Sequence, residues 1–144
     1  MEECLYAIMV ASANDIALQV AEHVGGSVDA FVQIMNTRAQ ELGCTNTVFT
    51  NPTGLPDENQ HITAHDMALI MEAAMANDTF RTIAATTSYT LPATNVSGGE
   101  RVLTNNFTMI NSTSDGYYKP VSAVRKGTQK LPEVPWYVKL PKIT

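Results

Sequence analysis

The sequence predicts an α+β fold, mostly helical with one short β-hairpin, and three observations carry that expectation. Apolar residues recur at three- and four-residue spacing in successive stretches up to Ala85. Hydroxyl, carboxylate, carboxamide or glycine residues stand where those stretches begin and end. Beyond them Ser88–Leu91 alternates in polarity, and Arg101–Leu103 can return beside it across the turn-rich segment Pro92–Glu100.

Leu5, Ile8 and Met9 fall at helical spacing behind Glu2 and Glu3, whose negative charge suits a helix N-terminus, so residues 2–11 form the first helix. Ser12 interrupts it. From Asn14 the apolar Ile16, Ala17, Val20, Ala21 and Val24 mark a second helix, and Gly25-Gly26 supplies its stop. Ser27 is a suitable N-cap for a third, in which Val28, Phe31, Met35, Ala39 and Leu42 form one apolar stripe ending at Gly43. Thr63-Ala64-His65-Asp66 has the form of a capping box with Asp in place of Glu and opens a fourth helix through Met67, Ile70, Met71, Ala74 and Met75. Asp78 is expected to cap a short fifth, Thr79–Ala85.

Between the third and fourth helices, Cys44–Ile62 gives about twenty residues rich in Asn, Thr, Pro and Gly, and connections of that length without regular structure are often functional. The last section, Leu131–Thr144, differs in kind: it carries Pro132, Pro135, Pro141 and the lone Trp136, with no usable period. No internal repeat or low-complexity tract occurs.

Composition narrows the function classes. The 144 residues, 44% apolar and 16% charged, amount to about one domain with enough apolar mass for a core. Nine basic against fourteen acidic residues leave a net charge of −5, with no Lys/Arg cluster ahead of the last twenty residues, so nucleic acid is not an expected partner. Ala7–Ala11 is far shorter than the roughly 18 apolar residues of a membrane span, and membrane association is expected only through segments outside this chain. Helical text begins immediately behind Met1, which reads as the interior of a domain.

Cys4 and Cys44, with only His23, His61 and His65 beside them, fit neither a zinc site nor a disulfide framework; both cysteines read as small buried residues, and no metal or cofactor is expected. The seven methionines read as helical core residues. His61 and His65 suit solvated or capping roles, and His23 suits the dipole of a helix C-terminus. Ser12-Ala13-Asn14 stands apart because of its place in the break between two apolar helices. There a hydroxyl and a carboxamide two residues apart can point the same way out of the core, although helix capping is the plainer role for such residues.

Taken in its surroundings, Leu5-Tyr6-Ala7-Ile8-Met9-Val10-Ala11-Ser12-Ala13-Asn14-Asp15-Ile16-Ala17 closely resembles the second motif of the D-alanyl-D-alanine carboxypeptidases, the low-molecular-mass penicillin-binding proteins. Ala21–Ser27, Phe31, Met35-Asn36, Leu42-Gly43, Thr45–Phe49, Asn51-Pro52-Thr53-Gly54-Leu55 and Thr63–Ala68 are similar to that family in order and spacing, so the resemblance runs over roughly residues 2–120. It implies the penicillin-binding-protein/β-lactamase-like transpeptidase fold, with this chain supplying mostly the helical region and a short hairpin.

Such serine acyl-transferases use three motifs: Ser-x-x-Lys, a second motif here in the form Ser-x-Asn, and Lys-Thr-Gly. A hydroxyl is a poor nucleophile until a nearby base takes its proton, which explains a Lys one helical turn from the first serine. On the resemblance, Ser12 is the proton relay and Asn14 the substrate-binding amide, while the nucleophile and its general-base Lys are absent from this chain. No serine here has Lys three positions later, and the nearest string to the third motif is the scrambled Lys126-Gly127-Thr128. Shifting the codon frame from the Lys126/Gly127 junction permits a continuation that opens Gly-Tyr-Thr, as the family has after Lys-Thr. Residues 1–125 are therefore expected to be a partial catalytic domain, and residues 126–144 an out-of-frame tail that packs little.

The resemblance implies an enzyme that removes the terminal D-alanine of peptidoglycan stem peptides through an acyl-enzyme. It would act at the extracytoplasmic face of a bacterial membrane or in the periplasm, with stem peptides ending in D-Ala-D-Ala as substrates and β-lactams as ligands of the longer protein. This chain alone is expected to be inactive. The alternatives are a β-lactamase-like hydrolase and a non-catalytic helical binding module derived from the same fold.

Overall fold

Helix α1 (Glu2–Ala11) joins the second helix, the fifth helix and the hairpin, and the computed structural model describes it within residues 1–118. It is followed by α2 (Asn14–Gly25), α3 (Val28–Glu41), α4 (Ala64–Met75), α5 (Asp78–Ala84), strands β1 (Ser88–Leu91) and β2 (Arg101–Thr104), and a 3-10 turn at Thr108–Ile110. α1 packs against α2, α5 and both strands. Its Tyr6 and Val10 bury themselves with Ile83 of α5, and Leu5, Met9, Tyr89 and Leu103 close over that cluster. Each fully buried side chain of this size is worth about 1.5–3 kcal/mol, so this cluster outweighs any single cap or surface pair in the molecule.

The expected helix boundaries follow from local chemistry. The Ser27 hydroxyl accepts the Ala30 N–H at 3.1 Å and the Thr63 hydroxyl accepts the Asp66 N–H at 3.1 Å, each satisfying one donor that a helix start leaves orphaned. The fifth helix starts one residue earlier than expected. Asn77, not Asp78, is its cap: its backbone is extended, as a cap position requires, and its carboxamide oxygen accepts the Phe80 N–H at 3.0 Å, whereas Asp78 is already the first helical residue and its carboxylate pairs with Arg81.

The expected stripe of α3 stays inward: Ala39 is buried, Val28, Phe31, Met35 and Leu42 are half-buried, and Val32 beside them is buried as well. Two further expectations need correction. Cys44 is buried but Cys4 is only half-buried, since α1 turns Tyr6, Ala7 and Val10 inward instead. None of the methionines is fully buried: Met9 packs against the Tyr6, Val10 and Ile83 cluster and Met109 against Phe107, both half-buried like Met35, Met67, Met71 and Met75, while Met1 is exposed.

The strands pair antiparallel, with Ser88 opposite Thr104, Tyr89 opposite Leu103, Thr90 opposite Val102 and Leu91 opposite Arg101. Period-two alternation puts Tyr89 and Leu103 on the face that meets α1. The Asn105 N–H and carboxamide bond to the carbonyls of Thr87 and Thr86, at 2.8 and 3.1 Å, and so tie the base of the hairpin to the chain just beyond α5.

The long connection between α3 and α4 is held by side chains instead of a ladder. A single backbone bridge joins Val48 and His61. The Asn36 carboxamide of α3 donates to the Phe49 carbonyl and accepts the Phe49 N–H, both at 2.8 Å, as a neighbouring strand would. Asp66, 1% exposed, receives the Asn46 N–H and the Thr47 hydroxyl on one oxygen, both at 2.8 Å. A carboxylate is tolerated at that depth because its charge is met by donors. The Thr47 hydroxyl above all, then the Asn46 N–H, the Thr63 hydroxyl and the Thr45 N–H, hold its carboxyl below the usual carboxylate range against the opposing effect of burial. Burial, followed by the charge of Asp66, pushes the neighbouring Cys44 thiol up.

Among the described residues no helix is long and apolar enough to cross a membrane. The expectations for Lys126-Gly127-Thr128 and for the tail 126–144 lie outside the described residues.

Two stability outcomes follow. A Cβ on Gly25 would lie 2.6 Å from the Phe31 backbone nitrogen, which has no flexible end to give way, so Gly25→Ala is expected to destabilise the chain by about 1–3 kcal/mol in urea titration. Asp66 has a lowered carboxyl pKa in the folded chain, so its contribution is complete above the ordinary value of 3.8 and is lost as pH falls through the folded value. In Asp66→Asn that part of the acid limb should disappear from the plot of Tm against pH, and an unchanged limb would contradict the assignment.

Candidate functional site

The chain turns between α1 and α2 at a backbone that side chains rarely adopt. Ser12 has φ 54° and ψ 42°, and among the described residues it is the one non-glycine residue with positive φ. That left-handed conformation costs a residue with a Cβ roughly 1–2 kcal/mol, and such strain persists only where its surroundings over-determine it. The over-determination is visible: the Ala7 carbonyl accepts both the Ser12 N–H and, at 3.2 Å, the Ala13 N–H. Ala7 and Val10 are buried, so the carbonyl that holds the turn belongs to a fixed stretch of helix.

The next residue removes the plain explanation for Ser12 and Asn14. At the N-terminus of α2 the cap position is occupied by Ala13, which has no side-chain acceptor, whereas α3, α4 and α5 are capped by Ser27, Thr63 and Asn77. Ser12 closes α1 and Asn14 opens α2, yet neither side chain caps a helix or makes a hydrogen bond among the described residues. Both are exposed. The corner therefore offers a hydroxyl, able to donate once and accept twice, beside a carboxamide with free donors and a free acceptor, both anchored to rigid helix ends.

The structure does not bring the remaining expected chemistry to this corner. Residues 1–118 contain no lysine, so no ammonium base or carboxylate-binding ammonium stands beside Ser12 within them. The three histidines are exposed, and His61 is occupied in the loop, its backbone paired with Val48 and its Nδ1 3.3 Å from the Asn59 carbonyl. No group of three His, Cys, Asp or Glu side chains among the described residues is arranged to hold a metal ion.

Two residues of consequence had no distinct sequence signal. Asp66 reads from the sequence as the acidic member of a capping box; the Thr63 hydroxyl does accept its N–H, but its carboxylate reaches away into the loop at Asn46 and Thr47. Asn-Thr lying one long loop before an N-terminal Asp is the only hint, and it specifies no geometry. Tyr89 of β1 stacks on Tyr6 of α1, with ring centroids 3.8 Å apart and planes within 6° of parallel. Alternation places Tyr89 on one face of a strand but does not say which helix meets that face.

Comparison with known proteins bears on the family and the fold. The D-alanyl-D-alanine carboxypeptidase family matches residues 1–119. The chain is 39% identical over 105 residues to D-alanyl-D-alanine carboxypeptidase DacB2 of Mycobacterium tuberculosis, a match covering 72% of this chain and 35% of that protein. Over 70 residues it is 46% identical to DacF of Bacillus subtilis, covering 49% of this chain and 18% of that relative. Among solved structures, the Streptomyces K15 DD-transpeptidase superimposes with a TM-score of 0.80 at 28% identity, over 90% of this chain and 51% of that one. A D-alanyl-D-alanine carboxypeptidase from Mycobacterium tuberculosis does so with a TM-score of 0.75 at 31% identity, over 90% and 47%. The chain thus spans about half the length of these solved structures and a smaller share of the curated relatives. With its helical region and antiparallel hairpin superimposing on penicillin-binding-protein structures and its sequence matching from residue 1 to residue 119, the chain belongs to the D-alanyl-D-alanine carboxypeptidase family.

Proposed function

We propose that this chain supplies the second-motif corner of a serine-type D-Ala-D-Ala carboxypeptidase, with Ser12 as proton relay and Asn14 as the amide that holds the substrate peptide. The observation that carries the reading is the pair of exposed, unpaired side chains at a strained helix corner, in a chain of this family. A residue kept left-handed without a glycine, and a helix start left without a side-chain cap, are two local costs at one place. Function is where such costs are retained.

In the reaction, a serine outside this chain attacks the carbonyl of the penultimate D-alanine and forms an acyl-enzyme, which water then hydrolyses. The leaving amine of the terminal D-alanine needs a proton as its bond to carbon breaks. The Ser12 hydroxyl can donate that proton while accepting another from a neighbouring acid, and so works as a relay without changing its own net state. The Asn14 carboxamide can donate to a peptide carbonyl and accept from a peptide N–H, which fixes the stem peptide in register. The scheme uses neither metal nor cofactor. Its substrates are peptidoglycan stem peptides ending in D-Ala-D-Ala, β-lactams are substrate mimics for the longer protein, and the site of action is outside the cytoplasmic membrane. Residues 1–125 are the partial catalytic domain and residues 126–144 an out-of-frame continuation; resequencing the DNA across codons 120–130 tests this, and clean sequence with no Lys-Thr-Gly frame beside it refutes it.

This reading has two measurable consequences. The chain as given should form no covalent adduct with a labelled penicillin, and in the longer protein Ser12→Ala should keep the fold but slow D-alanine release by about 10² to 10⁴. An adduct on a serine of this chain, or an undiminished rate in the variant, would overturn the assignment. Separately, Ser12→Gly removes the Cβ strain and should stabilise the chain by about 0.5–1 kcal/mol, whereas Ser12→Ala retains the strain and should not. Matching thermal transitions for the two variants would show that the corner is not strained.

A further inference from the structure

We infer that Tyr89 of the hairpin is a positioning residue for Ser12, acting through its ring stack on Tyr6 and the Ala7 carbonyl that holds the left-handed turn. The inference rests on the reading of Ser12 as the relay, and it adds an element that the second motif does not contain. The physical connection has three links. The Tyr89 and Tyr6 rings lie face to face with centroids 3.8 Å apart. Tyr6 is bonded directly to Ala7, and both are buried in α1. The Ala7 carbonyl then accepts the N–H of Ser12 and of Ala13, which are the two bonds that fix the corner.

The hairpin is suited to this task because it is anchored at one end only. Leu103, directly opposite Tyr89, packs on the same cluster of Tyr6, Val10 and Ile83, and Asn105 ties the base of the hairpin to Thr86 and Thr87. The turn at the other end is exposed, with Val96 90% accessible. The hairpin thus presses on α1 at Tyr6 while its turn makes no demand on the core. Without the stack, α1 keeps Val10 against Ile83 but loses the lateral support beside Ala7, and the strained Ser12 is the first residue free to relax. A left-handed residue with a Cβ sits above its ordinary minimum, so a small loss of support is read out there before it is read out in unstrained helix.

The test is amide hydrogen exchange on the chain itself, which reports the two bonds to the Ala7 carbonyl without requiring activity. In Tyr89→Met, which keeps apolar bulk but offers no ring face, exchange at Ser12 and Ala13 is expected to accelerate roughly tenfold while amides within α3 and α4 keep their rates. Tyr89→Phe, which retains the ring, should leave both rates unchanged. In a Tyr6→Leu background, adding Tyr89→Met should bring no further acceleration, because the path runs through Tyr6. Unaltered rates at Ser12 and Ala13 in Tyr89→Met, or equal acceleration throughout the helices, would overturn the inference. If Tyr89→Met does not fold, Tyr89→Leu takes its place with the same readout: faster exchange at Ser12 and Ala13 than within α3 and α4 supports the inference, and unaltered rates there refute it. The outcome is independent of penicillin acylation, so a failure of the relay assignment is distinguishable from a failure of this one.

Discussion

The burial of one face of α1 against α5 and the hairpin is the interaction on which the rest of the structure depends. Tyr6 and Val10, sealed by Ile83, Tyr89 and Leu103, make a short helix into a fixed object, although ten residues in water would scarcely hold a helix unaided. The rigidity has a specific use. Left-handed backbone at Ser12 is unfavourable for a residue with a Cβ, and the turn persists because the Ala7 carbonyl receives two N–H groups from it. The packing of the helix and the placing of the serine are one energetic arrangement.

The loop between α3 and α4 solves a different problem by other means. It carries many backbone polar groups and almost no ladder, so side chains must stand in for strands and caps. Asn36 pairs with Phe49 as a strand would, and the Asn51 carboxamide oxygen accepts the Gly54 N–H and the Thr53 hydroxyl, both at 2.8 Å, to close a turn in which Gly54 takes φ 76°. Asp66 gathers the start of the loop to the start of α4. The Asn and Thr content of this segment is thus structural accounting. Local side-chain bonds compete with regular structure, and here they replace it.

The corner between α1 and α2 lies within the residues that the family matches. The chain spans about half of the solved relatives it superimposes on, so what it presents is a module: a helical platform that carries Ser12 and Asn14 outward and a hairpin braced against it. Ser27, Thr63 and Asn77 spend their side chains on helix starts, whereas Ser12 and Asn14 leave theirs unspent beside a start capped by Ala13. The same residue types thus fall into two local settings, and the difference lies in geometry and not in composition.

By itself the sequence determined the helices and the hairpin, because periodicity and turn chemistry are local properties, and its resemblance to a known family singled out Ser12 and Asn14 as the residues to watch. It placed α1 over residues 2–11 and paired Ser88–Leu91 with the Arg101 strand, both as found. It missed what depends on distant partners. The inward face of α3 turned out to include Val32, and Cys4 stayed half-buried. The burial of Asp66, the stack of Tyr89 on Tyr6 and the left-handed state of Ser12 were decided only in three dimensions. A side chain's periodic position states which way it can face, but what meets it there is set by the packing of elements far apart in the chain. Strain at a single residue is tolerable only once that packing exists to hold it.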